Sequence, residues 1–115
     1  MNIIIREELK IETESGLKIS TQVMELLKLI EQTGSLNTAV KELGVSYSHA
    51  WNTFYKINCQ LNEPLIITQR GGVGGGVAFL TESGKRLLRY YEQLKEEFQY
   101  FLNEHTIDLA VKKSA

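Results

Sequence analysis

Residues 34–61 read GSLNTAVKELGVSYSHAWNTFYKINCQL, and the placing of two glycines, two serines and the apolar residues between them decides the fold. Ser35 stands where a helix N-cap is needed, and Leu36, Ala39, Val40 and Leu43 then recur at the i, i+3, i+4, i+7 spacing of one buried face. Gly44 stops that helix, because glycine enters the left-handed conformation of a helix end without a Cβ penalty. Ser46 caps the next helix, whose Ala50, Phe54, Ile57 and Leu61 fall within about 60° of arc at 100° per residue and must face a core. Two short amphipathic helices therefore meet at a tight turn.

Upstream, Ser20 is placed to cap a helix running to Thr33, with Val23, Leu26, Leu27 and Ile30 on one face and Gly34 ending it. Residues 20–62 thus form a three-helix core. In the preceding segment, residues 1–19, the alternation of Ile3, Ile5, Leu9 and Ile11 with polar partners suits one or two half-buried strands. Downstream, Asn62, Glu63 and Pro64 make a turn before LIITQ, a run rich in β-branched residues. RGGVGGG follows with five glycines in seven residues, then VAFL, so residues 65–80 read as a β-hairpin with a permissive tip.

Thr81 can cap a last helix over 82–105. Leu87, Leu88, Tyr91, Leu94, Phe98 and Phe101 form an apolar stripe along it, on a helix about 35 Å long at 1.5 Å per residue. A core of three shorter helices cannot cover so long a stripe, so these six residues are expected to bury against a second copy in a homodimer. Residues 106–115, ending KKSA, carry no apolar repeat and are expected to form a frayed tail. The fold class is mainly α with a small β-hairpin wing: a single winged helix-turn-helix domain over 1–115 with a long C-terminal dimerisation helix.

Composition fits a globular domain, with 43% hydrophobic and 23% charged residues. No apolar run approaches the roughly 18 residues of a membrane span, and the N-terminus has no pattern of a secretory leader, so a cytoplasmic location is expected. Cys59 stands alone, with no Cys or His at ligand spacing, and no metal is expected. RGGVGGGVAF has no G-K-[ST] ending and carries Val77 where a dinucleotide loop needs its last glycine. His49 and His105 lack an acidic partner at helical spacing, and no nucleophile constellation is visible, so the chain is read as no enzyme and as needing no cofactor.

Net charge is −1, but it is unevenly spread. Residues 46–86 hold Lys56, Arg70, Lys85 and Arg86 against Glu63 and Glu82, a net +2, whereas residues 92–108 hold one lysine against five acids. The middle of the chain is the part suited to phosphate. In a helix-turn-helix the second helix enters the major groove, and here its outer arc carries Ser48, Asn52, Tyr55 and Cys59, flanked by His49 and Lys56. Asn52 is the candidate for bidentate contact with adenine and Lys56 for a phosphate. Tyr47 and Trp51 lie between this arc and the core arc, where an amphipathic ring serves either side. Backbone N–H groups after Ser35 and Ser46 are anion sites, and Arg70, Gly71, Gly72 and Gly74 of the wing can meet the sugar–phosphate chain.

The stretch LLKLIEQTGSLNTAVKELGVSYSHAWNTFYKIN, then EPLI, then GGVGGGVAFLTESGKRLL resembles the N-terminal domain of ModE-type molybdate-responsive transcription regulators, and more distantly the winged domain of LysR-type regulators. The specific marks are TGS before the second helix, GVSY-x-x-AW at the turn, and the GG-x-GGG-x-A-x-LT wing. The resemblance implies a domain dimerised through its first and last helices that binds a palindromic operator of duplex DNA. It carries Ser46, Tyr47, Ser48 and Asn52 over as recognition positions and residues 70–76 as the wing. Val73 and Thr68 stand where the family can have basic residues. The paired molybdate-binding domains of full-length regulators have no place in 115 residues, so molybdate sensing is not expected of this chain. A winged helix used only for protein contacts is the alternative, supported by the modest charge and by Val73 and Thr68. The polar arc of the third helix argues against it.

Overall fold

Capping chemistry sets the limits of each helix in the structure, a computed structural model that describes residues 1–69, 76–105 and 107–109. Helix α1 spans Thr21–Thr33; the Ser20 hydroxyl accepts from the Val23 N–H, and Gly34 closes the helix at φ 72° by donating to the Ile30 carbonyl. Helix α2, Leu36–Leu43, repeats the device with Ser35 accepting from Thr38 and Gly44 at φ 76°. Helix α3 is Tyr47–Gln60, with the Ser46 hydroxyl accepting from the His49 N–H. Helix α4, Glu82–Glu104, starts at Thr81, whose hydroxyl accepts from the Gly84 N–H at 3.0 Å. Four helices thus begin at the four hydroxyl residues that the sequence marked.

The chain divides into two compact units, Lys10–Arg89 and the pairing of Met1–Leu9 with Tyr90–Ala115. The core of the first is built from Val23, Leu26, Leu27 and Ile30 of α1, Leu36, Ala39 and Val40 of α2, and Ala50, Phe54 and Ile57 of α3. Burying side chains of this size contributes about 1.5–3 kcal/mol each. Leu43 and Leu61, expected on the buried arcs, are only half-buried because each sits at the last turn of its helix, where the chain departs from the core. Met24 is buried as well, so α1 is covered over a wider arc than an i, i+3, i+4 stripe.

Strands β1 (Asn2–Ile3), β2 (Ile11–Glu12) and β3 (Lys18–Ile19) occupy the N-terminal segment. β2 and β3 pair antiparallel across a turn in which Gly16 has φ 91° and donates to the Thr13 carbonyl. The alternation of Ile3 and Ile5 does not make a half-buried strand: both side chains are exposed, and residues 4–10 carry no regular structure. The expectation of a frayed tail over 106–115 is corrected at residues 107–109 only; residue 106 and residues 110–115 lie outside the described residues. β6, Ile107–Asp108, pairs with β1, and the Met1 ammonium and the Leu109 N–H complete the ladder with bonds of 2.9 and 2.8 Å. Two-residue strands are held by backbone groups, so side-chain periodicity does not announce them.

Strands β4 (Ile66–Gln69) and β5 (Val77–Leu80) pair antiparallel with Ile66 opposite Leu80 and Gln69 opposite Val77. Ile66, Ala78 and Leu80 turn inward, while Ile67, Val77 and Phe79 are exposed on the other face. The Ala78 N–H donates to the Gly34 carbonyl at 2.9 Å, which pins β5 to the turn between α1 and α2. At the opposite end of the hairpin, Thr81 donates from its N–H to the Leu65 carbonyl and from its hydroxyl to the Pro64 carbonyl. The winged helix-turn-helix expected from the sequence is therefore present in the described residues.

Candidate nucleic-acid interface

With Ala50, Phe54 and Ile57 committed to the core, the opposite side of α3 is left to solvent. Tyr47, Ser48, His49, Asn52, Tyr55 and Lys56 are all exposed there. Tyr47 and Trp51, which the helical angle placed at the core boundary, belong to the open side at 47% and 41% exposure. The Trp51 and Tyr55 rings stack nearly parallel, with centroids 5.3 Å apart and planes 10° from each other.

Ser35 and Ser46 are placed differently from the other predicted contacts. Their hydroxyls accept from the third N–H of their own helices, and the Ser46 hydroxyl also lies 3.1 Å from that of Ser48. These side chains fix the helix starts, where the N–H groups of the first turn and the helix dipole favour an anion. Arg70, Gly71, Gly72 and Gly74 lie outside the described residues, as does Val73.

Sequence reasoning missed the open groove of about 760 Å³ that α3 forms with the base of the wing. Leu36 and Asn37 of α2, Tyr47, Ser48, Trp51 and Asn52 of α3, and Thr68, Gln69, Gly76, Val77 and Ala78 of the hairpin line it. None of these carries a formal charge. Its hydroxyls and amides can bond base edges or phosphate oxygens, and its aromatic rings offer apolar surface. The Ala78–Gly34 bond, the hairpin register and the bonds from Asn58 to the start of the wing bring Thr68, Gln69 and Val77 beside α3, and none of them leaves a periodic trace in the sequence.

Asn58 is the second residue that the sequence concealed. Its Oδ1 accepts from the Leu65 N–H at 2.9 Å and its Nδ2 donates to the Ile66 carbonyl at 3.5 Å, joining the end of α3 to the start of the wing. Leu65 is buried, so Asn58→Ala strands its N–H group. The expected cost is about 1–3 kcal/mol, read as a lower urea midpoint. An unchanged midpoint would show that the Leu65 N–H finds another partner.

The predicted dimerisation residues separate into two sets. Leu88 and Tyr91 are buried within the chain and Leu87 is half-buried, whereas Leu94, Phe98 and Phe101 remain exposed. Phe101 lies between Phe98, at a centroid distance of 6.5 Å, and His105, at 4.4 Å. Among the described residues no group of His, Cys, Asp or Glu could hold a metal ion, and no helix is long and apolar enough to cross a membrane.

No protein-family model matches the chain. It is 35% identical over 95 residues to the molybdenum transport protein ModE of Azotobacter vinelandii, covering 83% of this chain and 35% of that protein. Over 69 residues it is 42% identical to the transcriptional regulator ModE of Yersinia pestis, covering 60% of this chain and 26% of the relative. The DNA-binding transcriptional dual regulator ModE of Escherichia coli K12 is 39% identical over 74 residues, covering 64% and 28%. The chain thus spans between about a quarter and a third of the length of these curated relatives. Its helix-turn-helix, its wing strands and these identities together make it similar to the N-terminal region of ModE-type transcription regulators.

Proposed function

We propose that the chain binds duplex DNA sequence-specifically, as a homodimer, to regulate transcription. The observation that carries this reading is the exposed face of α3, where Ser48 and Asn52 help to line the groove at the wing base. A helix about 10–12 Å across with such a face fits the roughly 12 Å major groove, and its capped N-terminus suits a phosphate. In sequence, residues 46–86 carry Lys56, Arg70, Lys85 and Arg86 against Glu63 and Glu82, a net positive charge that favours phosphate. The relatives named for molybdenum transport favour genes of molybdenum supply as targets. No molybdate site is assigned to these residues.

The dimer rests on the second unit, which exposes Leu94, Phe98 and Phe101 together with Ile3, Ile4 and Ile5. So many large apolar side chains open to water in one small unit mark an interaction surface, and two copies of one chain meet most commonly about a two-fold axis. Such a dimer reads a palindrome whose half-sites lie about 34 Å apart.

Selection of bound duplexes from a random pool at two salt concentrations tests the proposal. Enrichment of a palindrome supports it, and no enrichment at low salt favours a protein-binding winged helix, for which the exposed Ile67, Val77 and Phe79 of the wing speak. Asn52→Ala is expected to weaken binding by about 1–3 kcal/mol at particular base positions only, measured against single-base variants of the selected site. An equal loss on every sequence would reduce Asn52 to a backbone contact.

A further inference from the structure

The polar ridge of α3 has an aromatic neighbour that DNA binding through Asn52 does not use. Tyr47, Trp51 and Tyr55 recur every four residues and so share one side of the helix. All three are exposed, an unusual outlay of large apolar surface for a single helix face. Trp51 lines the groove at the wing base with Leu36, Val77 and Ala78, while Tyr55 does not line it. Tyr55 instead lies flat against the indole. The stack gives the Trp51 ring a packed face, and Trp51 and Asn52 line the same groove.

Given the DNA-binding reading, on which this step rests, we infer that Trp51 is a specificity-determining residue that packs against the C5-methyl group of thymine, with Tyr55 as the residue that positions it. The chemistry follows from what the major groove displays. Next to the donor and acceptor edges that Asn52 and Ser48 can read, the thymine methyl is the apolar feature of the groove. An indole ring held beside the polar ridge, with Leu36, Val77 and Ala78 among the described residues lining the same groove, offers apolar surface that complements a methyl group.

The test begins with the selected duplex and replaces each thymine in turn by deoxyuridine, which removes only the methyl group. At one thymine or more in each half-site, the intact protein is expected to bind about fourfold more weakly after replacement, the worth of one buried methyl-sized group. Trp51→Ala should bind thymine and uracil duplexes equally at that position. Tyr55→Ala should narrow the difference while Tyr55→Phe keeps it, because the ring and not the hydroxyl makes the stack. Tight binding by the intact protein with no thymine-to-uracil difference anywhere overturns this inference and leaves the DNA-binding reading standing. A difference that survives in Trp51→Ala overturns the assignment to Trp51. No binding to any duplex overturns both. The deoxyuridine series needs no variant, so it decides the matter even if Trp51→Ala folds poorly.

Discussion

Gly84→Ala is expected to destabilise the protein by about 3 kcal/mol or more, seen as a large fall in the urea midpoint or the melting temperature. Helix propensity alone says the opposite, since exchanging glycine for alanine inside a helix ordinarily gains about 1 kcal/mol. The contact decides the sign. A Cβ at Gly84 would stand 2.1 Å from the Leu65 carbonyl oxygen and 3.1 Å from its carbon, and those atoms are backbone that cannot swing aside. The same carbonyl accepts from the Thr81 N–H, so α4 could retreat only by breaking the junction that joins it to the wing. A variant as stable as the parent, or more so, would show that α4 and the Pro64–Leu65 segment separate at little cost.

Phe98→Glu carries the largest expected effect on assembly. Phe98 keeps 41% of its surface open and touches only Phe101 among the described ring contacts, so the replacement should lower the melting temperature of the monomer only slightly. In the proposed dimer each copy loses the burial of the part of the ring still open in the chain, worth about 1 kcal/mol, and places a carboxylate at the interface, whose desolvation adds to the loss. Two copies double the effect. Even with the incomplete conversion of buried area into affinity, the dimer constant should fall by at least about a hundredfold. Sedimentation would then give a monomer at concentrations where the parent is a dimer, and footprinting would show protection of both half-sites lost together. A variant that stays dimeric would move the interface away from Phe98.

Local rules made most of the fold readable. Ser20, Ser35, Ser46 and Thr81 act at their own helix starts, and Gly34 and Gly44 take positive φ at their own helix ends, so a few neighbouring residues contain the whole signal. Gly84 shows where such rules end: nothing within five residues of it says that a carbonyl from residue 65 presses on its Cα. Nothing in the helical pattern singles out Asn58, yet it holds the chain seven residues ahead, at the entry to β4. The candidate site divides in the same way. Helical angles alone bring Ser48, Asn52 and Lys56 to one side of α3, but Thr68, Gln69 and Val77 join the groove through hairpin register. Leu88 and Tyr91 fitted the apolar stripe of α4 as well as Phe98 does, and only burial separates the residues that the chain itself covers from those it leaves open.

Trp51 is the single tryptophan of the chain, and its indole sits on the groove with Tyr55 behind it. Ultraviolet emission excited at the red edge, where tyrosine absorbs little, therefore comes from one known point on the surface. The protein carries its own fluorescent label at the place where the occupant of the groove has to arrive. Arrival and departure can be followed by stopped flow without a dye and without altering a residue. The colour of that emission then tells a water-filled groove from an occupied one.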